Sequence, residues 1–259
     1  MPSPTAPSAA RLLAFDTATE QLALGVHGPD GGLTLLLAGG AAASGSLLPQ
    51  AQALLARAGL VLADLDCIAF GSGPGAFTGL RTACAVAQGL GFGLGRPLLP
   101  IDSLLIVAED ARAQAAPAAA FDVGVAMDAR MGEVYAARYR WADGGWQVLQ
   151  APRLCDPGAL ASAWADAGPG AVPHAVAGSA LAAFGERLSL PAGALRLPDQ
   201  ADRAGALLRL ALRAAQAGAG IDAAAALPLY LRDKVAQTTR EREAGQEAGR
   251  GAAVPVRAP

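Results

Sequence analysis

RLLAFDTATEQLALGV, residues Arg11 to Val26, reads as an apolar strand, a polar turn at Asp16 to Thr19 and a second apolar strand, the pattern of a β-hairpin. VGVAMDARMGEVYAARY, Val123 to Tyr139, repeats that order, with an aspartate closing the first strand, a short turn and a second strand. Asp128 falls where Asp16 does. A unit that occurs once per half predicts two lobes of related build. Two unrelated hairpins of similar appearance are the alternative.

Working outward, residues 33–38 extend the first hairpin, and Leu47 to Ala58 has helical spacing with Leu47, Leu48, Leu54 and Leu55 on one face. DCIAFGSG reads as a buried strand ending in glycine. PLLPIDSLLIVAEDARAQ is a short strand leading into a helix capped by Asp102 or Ser103. AQAAPAAA, near Ala113 to Ala120, marks a lobe boundary. Beyond it come a turn at Asp143 to Gly145, a helix near Pro157 to Ala167, a short strand in HAVAGSA, and an amphipathic helix from Asp202 to Ala217 that packs Leu207, Leu208, Leu210 and Leu212. The expected division is an N-terminal lobe of 11–112 joined by a C-terminal segment of about 201–235, a C-terminal lobe of 113–200, and flexible tails at 1–10 and 236–259.

The chain has 259 residues, enough for one large domain or two lobes. It is 53% hydrophobic and 16% charged, yet no apolar run approaches the roughly 18 residues of a membrane span. TACAVAQGLGFGLG, the longest candidate, is broken by Gln88 and glycines and reads as a closely packed buried helix. MPSPTAPSAA has neither a basic nor an apolar signal region, so a soluble, cytoplasmic protein is expected. Cys67, Cys84 and Cys155 form no CxxC, which suits buried thiols in a reducing compartment. The net charge is -2 and the arginines are scattered, which argues against autonomous tight binding of nucleic acid.

GSGPGAFTGLRTA, Gly71 to Ala83, leads into a helical pattern. Its glycines permit close backbone approach, so the loop either contacts an anion at a helix N-terminus or turns the chain while Thr78 caps a helix beginning at Gly79. It is not a P-loop, because Leu80 and Arg81 follow Gly79, and Gly73, Gly75 and Gly79 do not keep dinucleotide-binding spacing. His27 and His174 form no metal-ligand pair, and G-x-S-x-G is absent, so zinc and serine hydrolases are disfavoured. His174, beside an apolar strand, is read as a satisfied structural residue rather than a base.

LLAFDTATEQLALGV, GPGAFTGLRTACAVAQGLGFG, MDARMGEVYAARY and YLRDKVA, in this order and at these spacings, resemble the signatures of the TsaB (YeaZ) family from about Arg11 to Ala236. The resemblance implies a two-lobed α/β fold of the actin, Hsp70 and sugar-kinase superfamily (ASKHA), each lobe a mixed sheet flanked by helices. That superfamily carries a D-x-G-T-type phosphate loop in its first hairpin turn. Here Asp16, Thr17, Ala18 and Thr19 stand there, with Ala18 in place of the glycine.

The resemblance further implies a non-catalytic, cytoplasmic subunit that binds and activates TsaD, which places threonylcarbamoyl on the adenosine beside the anticodon of tRNAs reading codons that begin with A. No catalytic residue and no metal ligand is expected, nor a tightly bound cofactor; ATP or ADP with Mg2+ is confined to the complex interface. TsaE joins the complex, tRNA is met only through it, the chain alone pairs with itself, and no membrane is involved. Partner contacts map onto two helices, Ser46 to Ala58 and Thr78 to Gly93, at Leu47, Leu48, Gln52, Leu55, Phe77, Thr78, Arg81, Ala85 and Gln88. Ala43 replaces a histidine common in the family. The competing reading is a nucleotide-binding or ATP-hydrolysing enzyme, in which Asp16, Thr17, Thr19 and Asp128 hold nucleotide and Mg2+.

Overall fold

In the computed structural model, which describes residues 10–40, 43–117, 120–165 and 173–232, the first hairpin is β1 (Leu12–Asp16) with β2 (Gln21–Gly28), paired antiparallel. β3 (Gly31–Ala38) continues antiparallel beyond β2, while β4 (Cys67–Gly73) and β5 (Leu98–Asp102) join in parallel on the other side of β1. The order is β3-β2-β1-β4-β5. The second sheet holds β6 (Phe121–Asp128), β7 (Val134–Ala142), β8 (Gly145–Cys155), β9 (Ala175–Ala177) and β10 (Leu195–Leu197), in the order β10-β9-β6-β7-β8. Strand for strand, this is the first connectivity again, with the same parallel and antiparallel neighbours.

A helix follows the third, fourth and fifth strand of each sheet: α1 (Ala43–Arg57), α2 (Phe77–Leu94) and α3 (Ser103–Ala115), then α4 (Leu160–Ala165), α5 (Ala180–Phe184) and α6 (Arg203–Gln216). The repeat is therefore a duplicated unit, not two hairpins that happen to look alike. The result is the expected two-lobed α/β architecture, each lobe a mixed sheet flanked by helices.

Every residue of β1 is buried because helices cover both faces of the first sheet. The strand's period of two sends Leu13 and Phe15 into a cluster with α1 and α2, and Leu12 and Ala14 into the opposite cluster with α6. Each such large apolar side chain contributes about 1.5–3 kcal/mol on burial. The third helices exchange sheets. α6 follows the second sheet in the chain but packs on the first, and α3 follows the first but buries Leu104, Val107, Ala108 and Ala111 against Val123, Val125 and Tyr139 of the second. The boundary placed after residue 112 thus falls inside α3. Of the expected tails, residues 1–9 and 236–259 lie outside the described residues.

Carboxylates hold this crossing together. Of the two cap candidates for α3, Asp102 is the one used, accepting the backbone N–H groups of Leu104 and Leu105 as well as the Tyr139 hydroxyl. Asp110 accepts the N–H groups of Ala201 and Asp202 at the start of α6. Glu109, fully buried, accepts from Arg112, Arg209 and the Trp146 indole. Burial pushes its carboxyl up, but the hydrogen bonds from Arg112, Arg209 and Trp146 outweigh burial and hold it below the usual glutamate range. A depressed acid contributes stability above its unfolded pKa of about 4.3 that is lost as pH falls through the lower folded value. In denaturant unfolding, the stability gap between wild type and Glu109→Gln is expected to be widest at neutral pH and to shrink below that point.

Three local expectations are corrected. α2 starts at Phe77 with Ala76 as its N-cap, so Thr78 is no cap. Nor is α2 buried all round: Leu80, Ala83, Cys84, Ala87 and Gly91 face inward, while Ala85, Gly89 and Phe92 are exposed. Alanine and glycine offer too little contrast for apolarity to mark the faces. His174 is exposed at the entry to β9, and its backbone, not its ring, makes the structural bonds to Asp122 and Leu195. Cys67 and Cys84 are buried, and burial pushes the Cys67 thiol up to about 11, so it stays protonated. No helix among the described residues is long and apolar enough to cross a membrane.

Candidate functional site

A cleft of about 660 Å3 opens between the sheets, walled by the first hairpin turn, the start of α2 and the second hairpin turn. Asp16, at the end of β1, lies beside it but is fully buried. One carboxylate oxygen accepts from Arg203 at 2.8 Å and from the backbone of Ala18, and the other accepts the Ser103 hydroxyl at 2.8 Å. Arg203 is itself 1% exposed and passes a further bond to Gln200. Both oxygens of Asp16 are thus engaged by the protein's own donors.

The glycine-rich loop packs on the same turn. Ala76 N–H donates to the Ala18 carbonyl at 2.8 Å, and the Thr17 hydroxyl donates to the Gly79 carbonyl at 2.7 Å. A Cβ on Gly79 would sit 1.8 Å from the Thr17 carbonyl oxygen, and one on Gly75 would sit 2.4 Å from that of Ala18. The close approach these glycines permit is therefore to the first hairpin itself. Thr17 is buried in this contact, whereas Thr19, whose hydroxyl accepts the Gln21 N–H within the turn, lines the cleft.

Asp128 differs from its counterpart. It is partly exposed, accepts the Arg130 N–H at 2.8 Å and pairs with the Arg130 guanidinium, which also reaches Glu20 of the first lobe across the cleft mouth. Asp16 and Asp128 are not two open carboxylates of one cation site. Among the described residues no three His, Cys, Asp or Glu side chains converge as a metal site.

The helix residues assigned to a partner separate into core and surface. Leu47 and Leu55 are 0% and 1% exposed and belong to the core under the first sheet, so they present nothing outward. Ala43 is likewise buried, at the first turn of α1. Leu48 and Gln52 of α1, with Thr78, Arg81 and Ala85 of α2, do face outward, and Phe77 is half-buried. Gln88 is committed internally, donating to the Ala226 carbonyl at 3.0 Å.

That carbonyl opens an extended strap, residues 226–232, which runs beside α2 and lines the cleft mouth. Leu229 N–H donates to the Ser72 carbonyl, and the Tyr230 ring lies 5.1 Å from Phe77 and accepts from Arg81 through its hydroxyl. Arg232 then crosses to Glu133 and the Ala129 carbonyl of the second lobe. Sequence reasoning missed Ser103, Arg203 and Tyr230. Arg203 carries a signal, a cation at the apolar start of α6. Tyr230 sits in LPLYL, an apolar run with no helical or strand partner nearby in sequence.

Residues 40–239 match the family model of TsaD, tRNA N6-adenosine threonylcarbamoyltransferase. Over 112 residues the chain is 37% identical to the tRNA threonylcarbamoyladenosine biosynthesis protein TsaB of Escherichia coli, covering 43% of this chain and 47% of that one. The TsaB of Haemophilus influenzae is 43% identical over 95 residues, 34% of this chain and 36% of that one. The chain spans about half, or less, of the length of these curated relatives. The solved structure of YeaZ from Pseudomonas aeruginosa superposes with a TM-score of 0.74 at 35% identity, covering 86% of this chain and 100% of that chain.

Proposed function

The chain belongs to the TsaD family, on its TsaB (YeaZ) branch, and from that premise we propose that it serves threonylcarbamoyladenosine formation in tRNA as a non-catalytic subunit that binds and activates TsaD. The observation that carries the non-catalytic part is the closed state of Asp16. The resemblance places a phosphate loop at the end of β1, and here the carboxylate of that loop, Asp16, is buried and bonded to Arg203, Ser103 and the Ala18 N–H. Ala18, itself buried, stands where the phosphate loop of the resembled superfamily has its glycine. The outward residues of α1 and α2 supply the face for TsaD, TsaE joins through the complex, and tRNA is met there rather than by this chain alone. Self-pairing through the same face is the state of the isolated chain.

Reconstitution tests this. With TsaD, TsaE, threonylcarbamoyl-adenylate and tRNA, omitting the chain is expected to lower adenosine modification at least tenfold; equal rates with and without it would refute the proposal. The second reading, an ATP-hydrolysing enzyme, draws on the cleft of about 660 Å3. It predicts turnover by the isolated chain that Asp16→Asn abolishes, and we expect no turnover above background. ATP or ADP with Mg2+ is assigned instead to the boundary with TsaD.

A further inference from the structure

The strap, residues 226–232, forms no helix or strand of its own, yet it is held by both lobes. On the first lobe it is fixed at several points. The Ala226 carbonyl accepts from Cys84 and Gln88 of α2, Leu229 N–H donates to the Ser72 carbonyl in β4, and Tyr230 packs on Phe77 and accepts from Arg81. On the second lobe it is held by one side chain. Arg232 donates to the carbonyls of Ala129 and Arg130, to the Met131 sulfur and to the Glu133 carboxylate. A single guanidinium thus grips the turn between β6 and β7 at every residue from Ala129 to Glu133 except Gly132.

That turn is one that needs holding. Arg130 and Met131 have φ of 62° and 56°, in the left-handed region that residues with a Cβ avoid. Its internal bonds run through the backbone of Ala129, Arg130 and Glu133 and the Asp128 carboxylate, and none of these reaches the first lobe. Among the described residues the other ion pair across the cleft mouth is Arg130 with Glu20, whose side chains are 71% and 75% exposed, and such a pair holds weakly. Arg232 and Glu133 are more enclosed, at 16% and 41%. The strap is therefore the stronger of the two links across the mouth.

We infer that residues 226–232 are a tie that sets the width of the cleft, with Tyr230 as its anchor on α2 and Arg232 as its latch on the second lobe. Only two residues of chain run from Tyr230 to Arg232, a reach of about 7 Å at full extension, so the tie has little slack. The lobes are joined through α3 and α6, whose first residues, Ser103 and Arg203, line the same cleft as Asp128 to Met131 of the turn. Rotation about that joint pulls the turn away from α2 and has to release one end of the strap. Phe77 and Arg81 lie at the anchored end, so whatever draws on them bears on the cleft without entering it. The inference does not depend on what α2 docks.

Pulsed electron-spin distance measurements test it in the full chain. Spin labels at Ala85→Cys in α2 and Ala182→Cys in α5 stand on exposed positions of the two lobes, with the part-exposed Cys155 replaced by serine and the labelled protein diluted in unlabelled chain so that only distances within one molecule are read. Arg232→Met, which keeps much of the side chain's bulk and removes its donors, is expected to change the mean distance by at least about 4 Å and to broaden its distribution. Tyr230→Ala, at a residue 43% exposed, is expected to do the same, and the double variant no more than either, because the two ends of one tie act in series. Glu20→Gln, which breaks the weaker link, is expected to leave the distance as in wild type. The inference falls if either strap variant keeps the wild-type distance, or if the change in the double variant is the sum of the two, which makes them separate local contacts. Should Arg232→Met fail to fold, Tyr230→Ala decides alone.

Discussion

Asp16→Ala is expected to lower stability by about 3–5 kcal/mol, because it leaves Arg203 charged, 1% exposed and stripped of its carboxylate. For a chain of this size that corresponds to a fall in melting temperature on the order of 10 °C. The Ser103 hydroxyl loses its acceptor in the same step. Removing both charges separates structure from chemistry: Asp16→Leu with Arg203→Met leaves no orphan ion, and is expected to recover much of the loss. A catalytic aspartate behaves oppositely, since its removal costs activity while stability holds or rises. Thermal and denaturant unfolding of the two single variants and the double variant decide between the two. A loss below about 1 kcal/mol for Asp16→Ala would mean that the pair does not seal the site.

What was legible in the sequence is what chain neighbours specify. Strand, aspartate, turn and strand are contiguous in both halves, so the hairpins and their duplication stood out before any contact was known. The helices were likewise readable from spacing, apart from their ends. What was not legible depends on residues far apart. Asp16 meets Ser103 across 87 positions and Arg203 across 187, and nothing in DTAT distinguishes a sealed aspartate from an open one. Leu47 and Leu55 show the same limit from another side: helical spacing locates an apolar stripe, but that stripe faces the helix's own core. Of the four leucines read as one face, only Leu48 is exposed. At Thr78 a sound capping rule lost to a tertiary contact, because the bond from Ala76 to Ala18 fixes where the chain enters α2.

The two lobes also show what duplication leaves free. Both first hairpins end in an aspartate that turns back onto its own loop, Asp16 to Ala18 N–H and Asp128 to Arg130 N–H. Only the first is then buried and ion-paired with Arg203. The local turn is a property of the repeated unit, whereas the seal comes from α6, which the exchange of third helices lays across the first sheet. The burial of Asp16 is thus tied to the packing that joins the lobes, and exposing it requires disturbing that joint.

Gly79→Ala is the second large effect, and it bears on why GSGPGAFTG is rich in glycine. If the loop were a phosphate cradle, its glycines would line open space awaiting a ligand, and a methyl group would cost affinity more than stability. Here the space beside Gly79 is filled by the Thr17 carbonyl, 1.8 Å from where a Cβ would lie, and that beside Gly71 by the Asp16 carboxylate at 1.7 Å. Neither neighbour can yield cheaply, because Thr17 is bonded to Gly79 and Asp16 is paired with Arg203. Gly79→Ala is therefore expected to cost about 3 kcal/mol or more with no ligand present. Gly89, in the same helix with nothing within 4 Å of an added Cβ, is the control. Its replacement by alanine is expected to stabilise by up to about 1 kcal/mol through helix propensity alone. Unfolding curves of the two variants carry the comparison: a Gly79→Ala protein as stable as wild type would mean that the loop stands clear of the hairpin turn, and the site would have to be read as open.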